Sequence, residues 1–529
     1  MKKNSSNRKK DSSNLKKDGS IHKKDGSNLK KDGGKHKKNG DFKADFAFLK
    51  FVFEKKQLPD WAILLAVCLA AYIGLKIFYP YPCSFNDSGS YVKAAIEDIF
   101  YVYRPFGYSY FLRVLHAVCE SIHFVFIVQL LLFFLSTAFV IFTIKYFYHP
   151  KSKRLWFMFL LLISANLPFL IICNTILSDA LFACQIYLLL GLFMFIVKKK
   201  SWIALFLFEM VLFSSMHVRY SAIIFPFFFI PFFIMLKGYY MKYISIIASV
   251  IVFAIFYSQT ENSMYNRVKI KQFSTGFDGW NYLNNALYVV PHIDMSEIDM
   301  KDRNLKNLHS FIISNKDSIS NQIKHGHIGA GFVWDPQGVL KQYLFRTMQS
   351  TNSQYLSTFV KLGSNQYKKY ATYLIAHYPV EFAKYYYFPN MLSAFYPSGL
   401  GMIGYQGDTA KHGEILEYYH IDKDTKTAAK IDILSRPIFL KAVQIWEIII
   451  WGALLFLGVW AIVRRKRIAF SNQDKIIFWG IFSFAVIYYA STIFASAIEF
   501  RYWISMYFIK LAIMYLLLNF LASPKIAEK

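Results

Sequence analysis

The sequence predicts an all-α fold, a polytopic bundle of about ten transmembrane helices with a mostly helical extracytoplasmic domain. Three observations predict it. Of the 529 residues, 55% are hydrophobic and 19% aromatic, outside the range of ordinary soluble domains. Apolar runs near the roughly 20 residues that a hydrocarbon core of about 30 Å requires recur from Trp61 to Leu521. The runs are continuous rather than alternating, so helices, not barrel strands, would satisfy the backbone in lipid.

Residues 1–58 read as a lysine-rich cytoplasmic tail. Lys-Lys-Asp recurs every seven residues at Lys9-Lys10-Asp11, Lys16-Lys17-Asp18, Lys23-Lys24-Asp25 and Lys30-Lys31-Asp32, and Lys37-Lys38-Asn39 follows. Gly, Ser and Asn fill the remaining positions, so there are no a and d sites for a coiled coil and too little apolar surface to order the segment. The lysines suit anionic headgroups, at about 1 kcal/mol each near a membrane surface; a tolerated repeat expansion is the plainer alternative. The first apolar run begins at Trp61, too far along for a signal peptide.

The expected spans are 61–79, 123–144, 155–173, 177–197, 201–216, 220–236, 241–258, 438–463, 475–497 and 502–521. An even number puts both termini on one side. One set of short loops carries Lys145, Lys151, Lys153 and Arg154, then Lys198-Lys199-Lys200, Lys237 with Lys242, and Arg464-Arg465-Lys466-Arg467. The alternate loops, at Asn174-Thr175, His217-Val218-Arg219 and Glu499-Phe500-Arg501, carry few basic residues. The positive-inside rule makes the basic set and both termini cytoplasmic. The formal charge of +28 is thereby assigned to the tail and inner loops rather than to nucleic acid, and the expected location is a plasma membrane, most compatible with a bacterial inner membrane.

The organisation that follows is a bundle over 59–258 with an outer loop at 80–122, an extracytoplasmic domain at 259–437, and C-terminal spans in 438–529. Helical patterning within the domain, as from Tyr367 to Tyr387, is expected to break at Pro379, Pro389 and Pro397. Cys68, Cys83, Cys119, Cys173 and Cys184 are odd in number and lack CxxC spacing, so neither a disulfide framework nor a zinc site is expected.

Ionisable residues at the edge of a bilayer core need a reason. Asp87, Asp179, His217 with Arg219, and Glu499 with Arg501 all fall at the outer level. Each has a structural reading. Asp87 and Asp179 can cap the helices that follow them, Arg219 and Arg501 can snorkel to headgroups or, for Arg501, pair with Glu499, and His217 can be a hydrogen-bonded interface residue. Asp98 lies too far along the same helix to form a dyad with Asp87.

In order along the chain come Asp87 with Tyr91 four residues later, Tyr103-Arg104-Pro105-Phe106-Gly107-Tyr108, Ser178-Asp179-Ala180-Leu181-Phe182 at the start of a span, and Arg501-Tyr502. This layout, over most of 60–521, resembles the GT-C glycosyltransferase superfamily, nearest the branch of protein O-mannosyltransferases and lipid A aminoarabinose transferases. The resemblance implies an inverting transfer at the outer face from a polyprenyl-phosphate-sugar donor to a glycolipid, polymer or protein acceptor. It implies Asp87 as base and Asp179 as a second functional acid. Arg219, Arg501 and Arg104 would hold phosphate, within a substrate site that also includes Tyr91, His217, Glu499 and Tyr502. Many relatives carry a second acid directly after the first, which helps to bind a divalent ion; here that position is Ser88, so a divalent metal stays open and no other cofactor is implied.

Two rivals use different chemistry. An O-antigen ligase or polymerase would take a polyprenyl-diphosphate glycan and lacks the first-loop acid. A lipid-linked sugar transporter would place its charges mid-bilayer, in broken helices and repeats that this sequence does not display. No GxGxxG or Walker-type loop points to a nucleotide.

Overall fold

The computed structural model describes residues 46–100, 103–295, 302–324, 328–396, 413–425, 427, 430, 436–464 and 470–522. The lysine repeats of the tail, Arg465-Lys466-Arg467 and Pro397 lie outside the described residues.

Among the described residues every regular element is helical, and eight helices are long and apolar enough to cross a membrane: Lys55–Phe78, Ile122–Tyr148, Lys153–Cys173, Ser178–Lys199, Tyr240–Val268, Pro437–Val463, Asn472–Ala495 and Arg501–Leu521. The two other expected spans, 201–216 and 220–236, form shorter apolar helices, Trp202–Val218 and Tyr220–Ile234. The latter opens as a 3-10 turn over Tyr220–Ile224 before its α-helix.

Ser178–Lys199 is the central post, with 89% of its most apolar window buried against neighbouring helices. Lys55–Phe78 and Pro437–Val463 stand at the periphery, at 11% and 17%. Gly191 of the post lets Phe139 and Val140 of the Ile122–Tyr148 helix approach closely, as small residues do in membrane bundles.

The bundle has two chemically distinct ends. Lys145, Lys151 and Lys198 to Lys200 mark a basic end, whereas residues 80–100 and 103–121 and the described segments between Val268 and Pro437 gather at the other, called here the domain end. The Tyr239–Val268 helix runs ten residues beyond the expected boundary at 258 without a break. Beyond it, Trp280, Leu340, Tyr367 and Tyr370 anchor a separate core that also takes in Met264 and Tyr386.

The expected proline breaks are placed differently. Pro379 falls in the first turn of a helix, where no intrahelical N–H is lost, after the chain turns at Tyr378; Pro389 lies inside the helical stretch, directly after the π segment Ala383–Tyr387, and the helix continues past it to Phe395. No two of the five cysteines are joined in a disulfide.

Candidate functional site

Two helix N-termini meet at the domain end because the chain stitches them together. Pro80 and Pro82 follow the first span, and Cys83 then bridges to the 174–176 turn, with Cys83 N donating to Asn174 O at 2.8 Å and Ile176 N to Cys83 O at 3.0 Å. Ser88 Oγ donates to Ile176 O at 2.8 Å, and the Tyr91 and Ser178 hydroxyls lie 3.0 Å apart. Gln129, buried in the second span, donates to Cys173 O and Thr175 O at 2.8 and 2.9 Å and accepts from Tyr108 Oη at 3.0 Å.

The helices so aligned are Asn86–Glu97 and Ser178–Lys199, and Asp87 and Asp179 each occupy the second position of their helix. Neither carboxylate caps. Phe85 and Leu177 are the N-cap residues, and Ser88, not Asp87, accepts the Phe85 N–H. Both acids still lie at the positive end of a helix.

With capping excluded, both carboxylates turn to arginines. Arg104 Nη2 lies 2.5 Å from Asp87 Oδ1, and Arg501 Nη2 lies 3.0 Å from Asp87 Oδ2. Arg501 Nη1 reaches Asp179 Oδ2 at 3.8 Å, Arg219 Nη1 pairs with Asp179 Oδ1, and Arg501 Nε donates to Glu499 Oε2 at 2.5 Å. The result is a chain of alternating charge, Arg104–Asp87–Arg501–Asp179–Arg219, with Glu499 as a branch. Three cations balance three anions.

The arginines are positioned by backbone turns. Gly107 brings the Arg104 turn against the end of the Trp202–Val218 helix so closely that a Cβ there would lie 2.5 Å from His217 O. Arg219 is the extended C-cap residue of that helix, and its guanidinium lies 5.1 Å from the Tyr502 ring. Arg501 sits on a 3-10 turn held from the domain: Asn390 donates to Ile493 O and Ser496 O at 2.8 and 2.9 Å and accepts from Ile498 N at 2.9 Å, and Asn285 donates to Phe494 O at 3.0 Å.

Exposure separates the two acids. The Asp87 side chain is 28% exposed, whereas that of Asp179 is 5% exposed. Burial pushes the Asp87 carboxyl up, but the charges and hydrogen bonds of Arg104 and Arg501 outweigh it and hold the group well below the usual carboxylate range. Asp87 raises the Arg104 guanidinium in return, against the opposing effect of burial.

His217 does not join this network. Its ring nitrogens lie 3.0 Å from Phe213 O and 3.0 Å from Gln259 Oε1, and its ring packs on Phe256, which places it at an interface between helices and apart from the arginine chain. Asp98 caps its helix in a left-handed conformation and pairs with Arg113, well away from Asp87's partners. Tyr91 stands under Arg104, 4.8 Å from the guanidinium carbon. Sequence reasoning missed Gln129, Asn285 and Asn390; a buried amide in an otherwise apolar span was the available signal only for Gln129.

Among the described residues no three His, Cys, Asp or Glu side chains converge as a metal site needs; the Arg501 guanidinium stands between Asp87 and Asp179. No family model, curated protein or solved structure matches the chain.

Proposed function

We propose that the chain is a membrane glycosyltransferase of GT-C type, moving a sugar from a polyprenyl-phosphate donor to an acceptor hydroxyl at an extracytoplasmic domain end, with both termini cytoplasmic. The observation that carries the proposal is the arginine chain: three guanidiniums from three separate turns, Arg104, Arg219 and Arg501, converge on two carboxylates. Arg104 Nε also has no hydrogen-bond partner among the described residues, which leaves it a donor for an arriving anion. Planar guanidiniums meet phosphate bidentately, so the cluster suits a phosphodiester better than lysines would. The lysine distribution in the short loops supports the orientation.

In the resting site the Asp87 carboxylate is a weak base, because Arg104 and Arg501 occupy its two oxygens. The donor phosphate competes for the same guanidiniums. As Arg501 and Arg219 turn to the phosphate, Asp87 loses a positive neighbour and its affinity for a proton rises. The acceptor hydroxyl then gives its proton to Asp87 while its oxygen attacks the anomeric carbon from the face opposite the phosphate. The bond from that carbon to the phosphate oxygen breaks, and polyprenyl phosphate departs with its added charge held by the arginines. Donor binding thereby switches on the base. The buried Asp179 holds Arg219 and Arg501 in place between turnovers.

The test is consumption of radiolabelled polyprenyl-phosphate sugars by membranes carrying wild type or Asp87→Asn. Wild type should release label from the carrier, and the variant should lose about three orders of magnitude of that rate. Consumption of a polyprenyl-diphosphate glycan in place of every monophosphate donor would replace this reading with that of a ligase.

A further inference from the structure

Beside Arg104 the domain carries a set of aromatic faces that the reaction above does not use. Tyr103, Phe277 and Trp334 form a triad, with ring centroids 5.7 Å apart for Phe277 and Trp334 and 6.2 Å for the other two pairs. Tyr103 also contacts Phe359 at 6.2 Å, and Phe359 contacts Tyr355 at 6.1 Å. Two of these residues are left partly uncovered, Trp334 at 48% and Tyr355 at 40% exposed.

A cation holds the rings from below. Lys341 is buried, and its ammonium lies 5.1 Å from the Trp280 ring, 5.2 Å from Tyr355, 5.4 Å from Phe359 and 5.9 Å from Trp334. It donates to Tyr355 Oη at 2.6 Å. A buried ammonium enclosed by four rings is costly as pure packing but fixes ring orientation through cation–π attraction. The uncovered faces are therefore preorganised.

Their chemistry selects the occupant. The polar residues flanking them, Asp335 and Gln337 after Trp334 and Gln354 before Tyr355, are exposed. Flat aromatic faces rimmed by carboxylate and amide groups match a pyranose, which offers a face of C–H bonds and an edge of hydroxyls. An acyl chain would want an aliphatic groove, and a peptide binding by strand addition would want a free strand edge; among the described residues the domain has no strand. The platform also abuts the reacting site: the Arg104 guanidinium carbon lies 5.5 Å from the Tyr103 ring, and its Nη2 lies 2.5 Å from Asp87.

We propose that Trp334 and Tyr355, with Tyr103 and Phe277, form a docking platform for a saccharide, making the acceptor a glycan whose hydroxyl is delivered to Asp87 past Arg104. This rests on the reading of Asp87 as the base. The test is saturation-transfer NMR on the full chain in nanodiscs with three probes: lactose, chitobiose and a glucuronate disaccharide. At least one should receive saturation at its ring C–H protons, Trp334→Ala should weaken that binding about tenfold, and Trp334→Phe should retain it. Absence of transfer to all three probes, or transfer that Trp334→Ala leaves intact, overturns the platform. Donor consumption by the same wild-type preparation separates the two claims. A bound saccharide without donor turnover removes the glycosyl-transfer reading and keeps a sugar site, whereas turnover without saccharide binding removes only the platform.

Discussion

The charges of the domain end and those of the rest of the bundle are paired by different rules. Among the described residues elsewhere, three of the four buried acids have a lysine of their own: Lys145 lies 2.5 Å from Asp60, Lys198 lies 2.5 Å from Asp474, and Lys510 pairs with Glu447 between two spans, while Glu209 accepts from Ser249 Oγ at 2.8 Å. Neutral donors complete the shells, Trp156 Nε1 on Asp60 at 3.1 Å and Ser471 Oγ on Asp474 at 2.5 Å. In the Asp87–Asp179 site the cations are arginines, and Arg501 is shared, contacting Asp87, Asp179 and Glu499 at once. Lysine is a point charge and suits an exclusive pair that locks helices together. Arginine's planar fork can bridge partners and exchange one for another. The lysine pairs read as fasteners, and the arginine chain reads as a site.

That contrast breaks if the same substitution acts alike in both places. Asp87→Asn should lower transfer about a thousandfold, whereas Asp60→Asn should leave transfer intact while lowering Tm. Equal activity losses from the two variants, measured with one donor preparation, would erase the distinction.

The fastener role is sharpest within the bundle. Lys510→Met leaves the Glu447 carboxylate buried without its partner and should destabilise the chain by about 3–5 kcal/mol, measured by thermal unfolding in detergent. Adding Glu447→Leu should recover most of that loss, because the remaining cost is desolvation that an apolar pair avoids. A double variant as unstable as the single one would mean that the pair does more than fasten.

Sharing is tested by Arg501→Lys, which keeps the charge and loses the fork. Transfer should fall roughly a hundredfold, a loss close to that of one preorganised donor to a developing anion, while a salt-bridge role alone would tolerate the change.

The smallest effect is in pH dependence. Asp87 is depressed in the folded protein, so its contribution to stability is complete above its unfolded pKa of about 3.9 and is lost only as pH falls through the lower folded value. Stability should therefore be insensitive to this group between pH 5 and 8. If donor phosphate draws Arg501 away, the acid limb of kcat, which reports the donor complex, should lie at higher pH than the acid limb of kcat/KM, which reports the free enzyme. Coincident limbs would argue that Asp87 keeps both arginines through the reaction.

Several of these features were legible in the sequence because they depend on continuous runs or on local chemistry. A span announces itself through some 20 consecutive apolar residues, and Ser178–Lys199, Ile122–Tyr148 and Pro437–Val463 form where their runs lie. Asp87, Arg104, Asp179, Arg219, Glu499 and Arg501 stood out for the same reason, as ionisable groups at the margins of apolar segments.

What the sequence by itself determined, then, was helical class and the residues that have to be accounted for. Only the tertiary structure decided their partners, because an ion pair depends on distance in space and its members carry no periodic mark. Arg501 meets Asp87 across 414 residues of chain, through a turn pinned by Asn390 and a loop tied to the start of the central post by Cys83 and Ser88. His217, by its position in the sequence as suitable as Arg219, meets Gln259 instead. The aromatic platform was decided in the same way, since Tyr103, Phe277, Trp334 and Tyr355 come from four separate stretches that only the folded domain brings into contact around Lys341.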